Sequence, residues 1–462
     1  MLTNYWLTYN REILTYEGDV VGWDAPEPLP ANTIRCRFMS GYTPTQGDTQ
    51  TLVDADENIW DIYKSSSNWN RLFFGEYYLL EVVDANTTGV TNMSYAFYAC
   101  SSLQSVTLDT PSVTNMDHAF SGCSGLQSIT LDTPSVTNMD HAFMQCSSLT
   151  DIQLSDISSV TNMSYAFYGC TYLQSITLDT PSVTDMTLAF TGCSSLQSIT
   201  LDTSSVVNMG AAFADCSSLT DIQLSDTSSV VNMAYTFADC SSLTDIQLSD
   251  TSSVTDMSGA FSGCTHLQSI TLDTSSVTDL SDAFYECSNI TDIQLSDTSS
   301  VTDLRYAFYE CSSLQSITLD TSSVTDMRFA FSGCTHLQSI TLDTPSVTNM
   351  NHAFNGCSSL TDIQLSDTSS VTNMYYAFNM CSSLQSIPAL DTSSALNVTY
   401  MFRNCRNVES GALALYEQMS TQATPPTNYS WCFTNCGKDA PSGAPIHAEM
   451  LQIPSSWGGL GA

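Results

Sequence analysis

Cysteine recurs along this chain at a fixed interval, and that interval limits what the chain can fold into. Cys100, Cys123, Cys146, Cys170, Cys193, Cys216, Cys240, Cys264, Cys287, Cys311, Cys334, Cys357, Cys381 and Cys405 follow one another at 23 or 24 residues. The residues around each cysteine repeat as well, from about Val90 to Phe402. A period of that length specifies a solenoid, in which each coil buries its apolar side against the coils before and after it.

The stretch SVTNMSYAFYGCTYLQSITLDT, Ser159 to Thr180, represents one coil. Val160, Met163, Ala166, Phe167 and Cys170 fall on one side of a helix at about 100° per residue, which predicts a short helix with Ser159 as its N-cap. Leu173, Ile176 and Leu178 point one way, and the last two alternate as a strand does. Asp-Thr-Pro-Ser or Ser-Asp-Thr-Ser-Ser then forms a turn, because these short side chains bond the local backbone. Coils with LDTPSV or LDTSSV are 23 residues long and coils with LSDTSSV are 24, so the extra residue sits in the turn, where insertion costs little.

The LxxIxL of Leu173, Ile176 and Leu178, with the AFxxC of Ala166, Phe167 and Cys170, resembles the leucine-rich repeats of the BspA type. These occur on bacterial surface proteins and in protist and phage relatives. The resemblance covers roughly residues 79–408. It implies an α/β solenoid: a leucine-rich-repeat-like right-handed superhelix with one parallel sheet and short helices, capped at both ends. It implies little about function, because such a family is defined by its scaffold.

Charge and cysteine usage narrow the partners. The chain has 47 acidic residues against 10 Lys plus Arg, net −37. Between Val90 and Phe402 the basic side chains besides histidine are Arg305 and Arg328. Such a surface repels phosphate backbones and anionic lipid, so neither nucleic acid nor membrane insertion is expected. One cysteine per coil, stacked at strand spacing of about 4.8 Å, predicts reduced, packed thiols rather than cystines, whose β-carbons stand about 3.8 Å apart. Zinc needs ligands clustered at short spacing, which a one-per-coil row does not supply. Cys432 and Cys436 read as a continuation of the row, because Cys436 follows Phe433 as the others follow their Phe. No cofactor is expected.

Three regions follow from the pattern: 1–78, an N-terminal capping or attachment domain, mostly β; 79–408, the solenoid; and 409–462, a C-terminal cap. In the first, WLTYNREILTYEGDVVGWD reads as hairpin-like strands with Glu-Gly-Asp at a turn, TIRCRF as a strand, and ENIWDIYKS as the start of a short helix. Ala25–Pro30 is a stiff connector. Asp54, Asp56 and Asn58 imitate the start of a calcium loop, but Ile59 stands where its glycine is needed and Ser65 at its twelfth position, so the site is rejected. In the last region GALALYEQMST is expected to be a helix and NYSWCFTNCG a degenerate final coil. No basic segment followed by an apolar run opens the chain, which departs from exported adhesins.

Comparing the coils with one another locates the variable positions. They are the two after Met and the two before Cys. The second and third of these four face outward and carry Tyr95, Tyr98, Tyr165, Tyr168, Tyr235, Tyr285, Tyr306, Tyr309, Phe329, Tyr376 and Tyr400. Two readings stand side by side. One is drift at exposed sites after duplication. The other is a contact strip for a glycan or protein, since Tyr joins a flat apolar face to a hydroxyl. A rival surface is the outer strand face, where Ser/Thr pairs alternate with Asp/Gln pairs such as Asp151-Gln153 and Asp245-Gln247. Its plainer reading is a solvated face that resists aggregation.

HExxH, GxSxG, a P-loop and GxGxxG are all missing, so no enzyme is expected. His118 and His141, beside Asp117 and Asp140, read as surface residues. The expected function is non-enzymatic recognition or structural display, first as a virion component (fibre, decoration or host-recognition protein) located in the virion. The partner would be a cell-surface protein or glycan, or other virion proteins through the N-terminal domain. The alternatives are a BspA-type bacterial cell-surface adhesin, exported without a recognisable signal peptide, and a calcium-dependent carbohydrate-binding protein. A homo-oligomer stays open.

Overall fold

A computed structural model describes residues 69–70, 74–75 and 89–461, and the backbone alone of Thr3–Leu7, Ile13–Glu17, Cys36–Arg37, Thr49–Val53, Ile59–Tyr63 and Glu81–Asn86. The connector at residues 25–30 and the rejected calcium loop from Asp54 lie outside the described residues. The chain divides into two units, Met1–Ser229 and Val230–Ala462.

The AFxxC segment is not a helix in any coil; it is a run of turns. In the coil from Val160, the amides of Ala166, Tyr168 and Cys170 donate to carbonyls three residues back, Met163, Tyr165 and Phe167, at 3.0–3.1 Å. The intervening amides leave the coil altogether. Met163, Tyr165, Phe167 and Gly169 donate to Asp185, Thr187, Ala189 and Thr191 of the next coil at 2.7–2.9 Å. A helix would send every amide four residues back. Here two left-handed residues per coil, Tyr165 (φ 55°) and Gly169 (φ 71°), turn alternate amides along the stack. The apolar offsets were legible because this path has nearly the helical facing period, so the predicted burial of Val160, Met163, Ala166, Phe167 and Cys170 holds. The helix and the Ser159 N-cap do not.

Most coils also contribute one short strand, and the described strands fall into several sheets rather than one. In the first unit Glu81–Asn86, Ser105–Asp109, Ser128–Leu131 and Asp151–Leu154 pair in parallel, with Cys36–Arg37 beside the first of them. Ser175–Leu178, Ser198–Leu201 and Asp221–Leu224 make another. In the second unit Ser269–Leu272 pairs with Asp292–Leu295, and Ser339–Leu342 with Asp362–Leu365. A second parallel column runs through single residues: Asn92, Asn115, Asn138, Asn162, Asp185 and Asn208 in the first unit, and Asn232 onward in the pattern of the second. Each of these side chains accepts the amide two residues on, as Asn162 Oδ1 does from Ser164 at 2.9 Å. This is an Asx turn, which is why the position is always Asn or Asp.

The core is a set of identical residues stacked coil on coil. In the first unit Phe97, Phe120, Phe143, Phe167, Phe190 and Phe213 stack at 5.0–5.5 Å with planes within 8°. In the second, rings from Phe237 to Phe402 stack at 5.0–5.7 Å and Phe433 follows at 6.2 Å. The sixteen described cysteines are all buried, as reduced thiols. Twelve of these thiols donate to the Phe carbonyl of the preceding coil, as Cys311 Sγ does to Phe284 O at 3.1 Å. The packed-thiol expectation is met.

The extra residue of the 24-residue coils has a bonding role. Ser155, Ser225, Ser296 and Ser366 each donate from Oγ to the aspartate of the preceding coil, as Ser225 does to Asp202 at 2.8 Å. The same Oγ accepts a threonine amide, Thr203 N to Ser225 Oγ at 3.1 Å. Each strand before such a serine is the last in its sheet, and its leucine rises to partial exposure where Ile-Thr-Leu strands bury theirs. Below the turn, buried threonines donate across coils: Thr274 Oγ1 to Asp297 O at 2.6 Å. Thr133 is the exception, a buried hydroxyl with no partner. Thr274→Val is therefore expected to lower stability by about 1–2 kcal/mol, and Thr133→Val to leave it unchanged or raise it. Urea midpoints of the two variants check this; equal losses would contradict it.

At the ends, Thr3–Leu7 and Ile13–Glu17 pair antiparallel, as hairpin-like strands do, and the expected turn at Gly18 and Asp19 lies outside the described residues. Where a short helix was expected, Ile59–Tyr63 is a strand that pairs antiparallel with Thr49–Val53. Ala412–Thr421 is helical as expected. Asn428–Cys436 continues the stack: Val398, Tyr400, Phe402 and Asn404 donate to Asn428, Ser430, Cys432 and Thr434. Cys432 thus takes the alanine position and Cys436 the cysteine position of a last coil.

Candidate recognition surface

Of the two left-handed positions in each coil, the first coincides with the first outward variable position and the second is the residue just before Cys. The first holds Tyr95, His118, His141, Tyr165, Leu188 and Ala211 in the first unit. In the second it holds Tyr235, Gly259, Asp282, Tyr306, Phe329, His352, Tyr376, Tyr400 and Trp431. A bulky residue at positive φ costs about 1–3 kcal/mol, where Gly or Asn would sit without strain. Eleven of these fifteen positions nevertheless carry an aromatic ring. At the other position, just before Cys, glycine is frequent, as at Gly122, Gly169, Gly192, Gly333 and Gly356.

In the first unit the rings form a row. Tyr95, His118, His141 and Tyr165 stack at 4.5, 4.2 and 4.4 Å with planes within 12°. His118 and His141 hold Asp117 and Asp140 through Nδ1 at 2.6 and 2.8 Å. Tyr98 stacks on Phe74 at 4.9 Å, and Tyr168 lies tilted against Tyr165 at 5.9 Å.

The second unit has a longer row. Tyr306, Phe329, His352, Tyr376, Tyr400 and Trp431 follow at 4.7, 4.4, 4.8, 4.6 and 5.3 Å. Burial between Phe329 and Tyr376 pulls the His352 pKa down, and its Nδ1 meets Asn351 rather than an acid, at 2.5 Å. Arg403 lies over Tyr400 at 5.2 Å. Tyr285 and Tyr309 stack beside the row at 4.9 Å. Burial and the neighbouring Glu286 push the Tyr285 hydroxyl up to about 12.

This geometry changes what the strip offers. Stacked rings turn their faces to each other, so a row presents ring edges, phenol hydroxyls and imidazole nitrogens. A flat sugar face finds a free ring face only where a row ends or breaks. Of the eleven residues expected on the strip, Tyr235 is exposed and the others are half-buried. His118, His141, His352 and Trp431 belong to the rows and were missed; their position two residues after the Met, or its equivalent, was the available signal. On the strand face, Gln247, Gln294 and Gln364 donate to Asp245, Asp292 and Asp362 at 3.1, 2.9 and 3.2 Å, so these polar pairs satisfy one another.

Among the described residues, no group of three or more His, Cys, Asp and Glu is placed to hold a metal ion. No helix among them is long and apolar enough to cross a membrane.

Coils built from one short parallel strand and a returning run of turns, on a leucine and phenylalanine core, define a leucine-rich-repeat solenoid. The chain belongs to the BspA type leucine rich repeat region family, whose model matches residues 140–255, 210–305, 233–327 and 280–409. A model described as Mycoplasma protein of unknown function matches residues 67–177. Among solved structures, a leucine-rich repeat protein from Bacteroides ovatus is similar at 22% identity and TM-score 0.52, over 76% of this chain and 92% of that one. A leucine rich cell surface protein from Faecalibacterium prausnitzii aligns at 23% identity and TM-score 0.36, over 72% and 97%. These likenesses bear on the fold alone. No functionally curated protein matches.

Proposed function

We propose that the chain is a non-catalytic recognition scaffold at a bacterial cell surface, and that its aromatic rows are the contact surface for an extracellular protein or glycan. The observation that carries this reading is the cost of the rows. Eleven left-handed positions hold rings that the fold does not require, since Ala211 and Gly259 fill the same position in other coils. Membership of a family found on bacterial surface proteins favours the cell-surface setting over the virion one. The edges of the rows suit a ligand that hydrogen-bonds along several coils.

The test is binding of the full chain to arrays of glycans and extracellular proteins, against a variant with His352→Ala, Tyr376→Ala and Tyr400→Ala. Alanine already occupies this position at Ala211 (φ 52°), so the variant is expected to fold. A tenfold or greater loss of signal is expected; an unchanged signal would refute the strip. Signal lost only in chelator would favour the calcium-dependent alternative. Antibody labelling of intact producing cells, against purified virions, decides the setting.

A further inference from the structure

In the second unit the aromatic row is broken, and charge enters at the break. Gly259 takes the row position in one coil and Asp282 in the next. The Tyr235 ring lies where a β-carbon on residue 259 would stand, so the glycine lets it lean along the row, and it stays 47% exposed. On the other side, Tyr306 has Phe329 on one face and Asp282 as its neighbour in the row on the other. Tyr285 sits tilted 6.4 Å from Tyr306, and Tyr309 stands edge-on to it at 5.8 Å. Glu286 and Glu310 occupy the second left-handed position of the same coils.

The other coils show that the fold does not need these charges. At the Asx-turn position, the coils of Asn232, Asn349, Asn373 and Asn397 in this unit hold a neutral amide, while Asp256, Asp279, Asp303 and Asp326 are consecutive. Asn232 accepts the amide two residues on at 2.8 Å, and Asp279 does the same at 2.8 Å. The turn requires an oxygen, and the carboxylate adds only repulsion between adjacent coils. Arg305 and Arg328 pair with Asp303 and Asp326 of their own coils. Asp256, Asp279, Asp282, Glu286 and Glu310 form no ion pair among the described residues. Burial, with Asp303 and Asp279 nearby, holds the Asp282 pKa above the usual carboxylate range although Arg305 opposes it. Burial and Glu286 do the same for Glu310. A cation arriving here would relieve that repulsion.

We propose that this break in the strip seats a lysine- or arginine-rich polypeptide segment, its cationic groups among Tyr235, Tyr285, Tyr306 and Tyr309 and against Asp282, Glu286 and Glu310. The inference rests on the strip being a contact surface and adds the chemistry of its occupant. Tyrosine rings beside carboxylates favour an ammonium or guanidinium through both the ring quadrupole and direct charge. The coils around the break do not supply that cation, because Arg305 and Arg328 are already paired and no lysine lies between Val90 and Phe402. The acids are spread over successive coils, which suits a chain carrying several charges better than one small cation. A net charge of −37 steers such a partner toward the protein.

The probe is a dye-labelled lysine-serine peptide, with a glutamine-serine peptide of equal length as its neutral counterpart, read by fluorescence anisotropy on the full chain. Asp282→Asn, Glu286→Gln and Glu310→Gln are combined in one variant. Gln145 already occupies the Glu286 position of another coil at φ 59°, and Asn tolerates positive φ, so folding is expected to persist and is checked by thermal melting. Asp245→Asn, Asp292→Asn and Asp362→Asn on the strand face remove the same charge and form the control. A tenfold or greater loss for the first variant, twofold or less for the control, and no binding of the neutral peptide are expected. Equal losses in both variants would show unspecific attraction to an acidic protein and overturn the proposal. So would tight binding of the neutral peptide. If the array ligands bind through the strip while the cationic peptide does not, this inference fails and the recognition reading stands. If neither binds, both fail.

Discussion

Raising the pH above about 9 is expected to unfold the second unit within roughly one to two pH units. Burial raises the pKa of nine of its thiols, Cys264, Cys287, Cys311, Cys334, Cys357, Cys381, Cys405, Cys432 and Cys436, above the ordinary thiol range. Cys287, for example, is pushed up to about 12. Below the unfolded value both states hold the proton and the thiols cost nothing. Above it the unfolded chain releases protons that the folded one keeps, so stability falls as pH rises toward the folded values. Each thiol then contributes a loss of about 1.4 kcal/mol per pH unit. Nine acting together give about 12 kcal/mol per unit, comparable with the whole stability of an ordinary domain. Circular dichroism and thiolate absorbance followed together under reducing conditions check this. They are expected to change in one step; gradual ionisation with the fold intact would contradict it. Replacing Cys287 with alanine is expected to shallow the pH slope by one thiol's share.

Phe308→Ala is expected to destabilise the second unit by about 3–5 kcal/mol. Phe308 is fully buried, with ring centroids 5.7 Å from Phe284 and 5.2 Å from Phe331, so truncation removes contacts on both faces. Neighbouring coils cannot close the gap, because their backbones are fixed by bonds such as Phe308 N to Ala330 O at 2.8 Å. Tyr309→Ala, one residue away on the half-buried strip, is expected to cost far less. Urea unfolding of the two variants separates them. Similar midpoints would mean that the ring column contributes no more than the surface row.

The buried half of this structure was readable from spacing. Val160, Met163, Phe167, Cys170, Leu173 and Ile176 recur at fixed offsets, and all are buried. What spacing could not give was the path between them. A helix and a chain of turns with left-handed residues bring the same offsets inward, and only the destination of each amide distinguishes them. That destination is another coil, an interaction between residues 20 or more apart that no local propensity encodes. The rows were half legible for the same reason. Tyrosine drew attention by its chemistry, while His118, His352 and Trp431 belong by register alone. In the first region ENIWDIY had no apolar period long enough to set helix against strand, and the pairing with Thr49–Val53 decided it.

The clasp of each inserted serine bears on how a chain of near-identical parts finds its proper order. Any coil could dock on almost any other through the same phenylalanine, cysteine and leucine. The Asp132–Ser155, Asp202–Ser225, Asp273–Ser296 and Asp343–Ser366 bonds close only when a 24-residue coil follows its own 23-residue predecessor. A stack that skipped a coil would bring two segments of mismatched length side by side and strand those polar groups. The unequal coil lengths thus work as a vernier: they make mis-threaded assemblies of this repetitive chain distinguishable from the correct one.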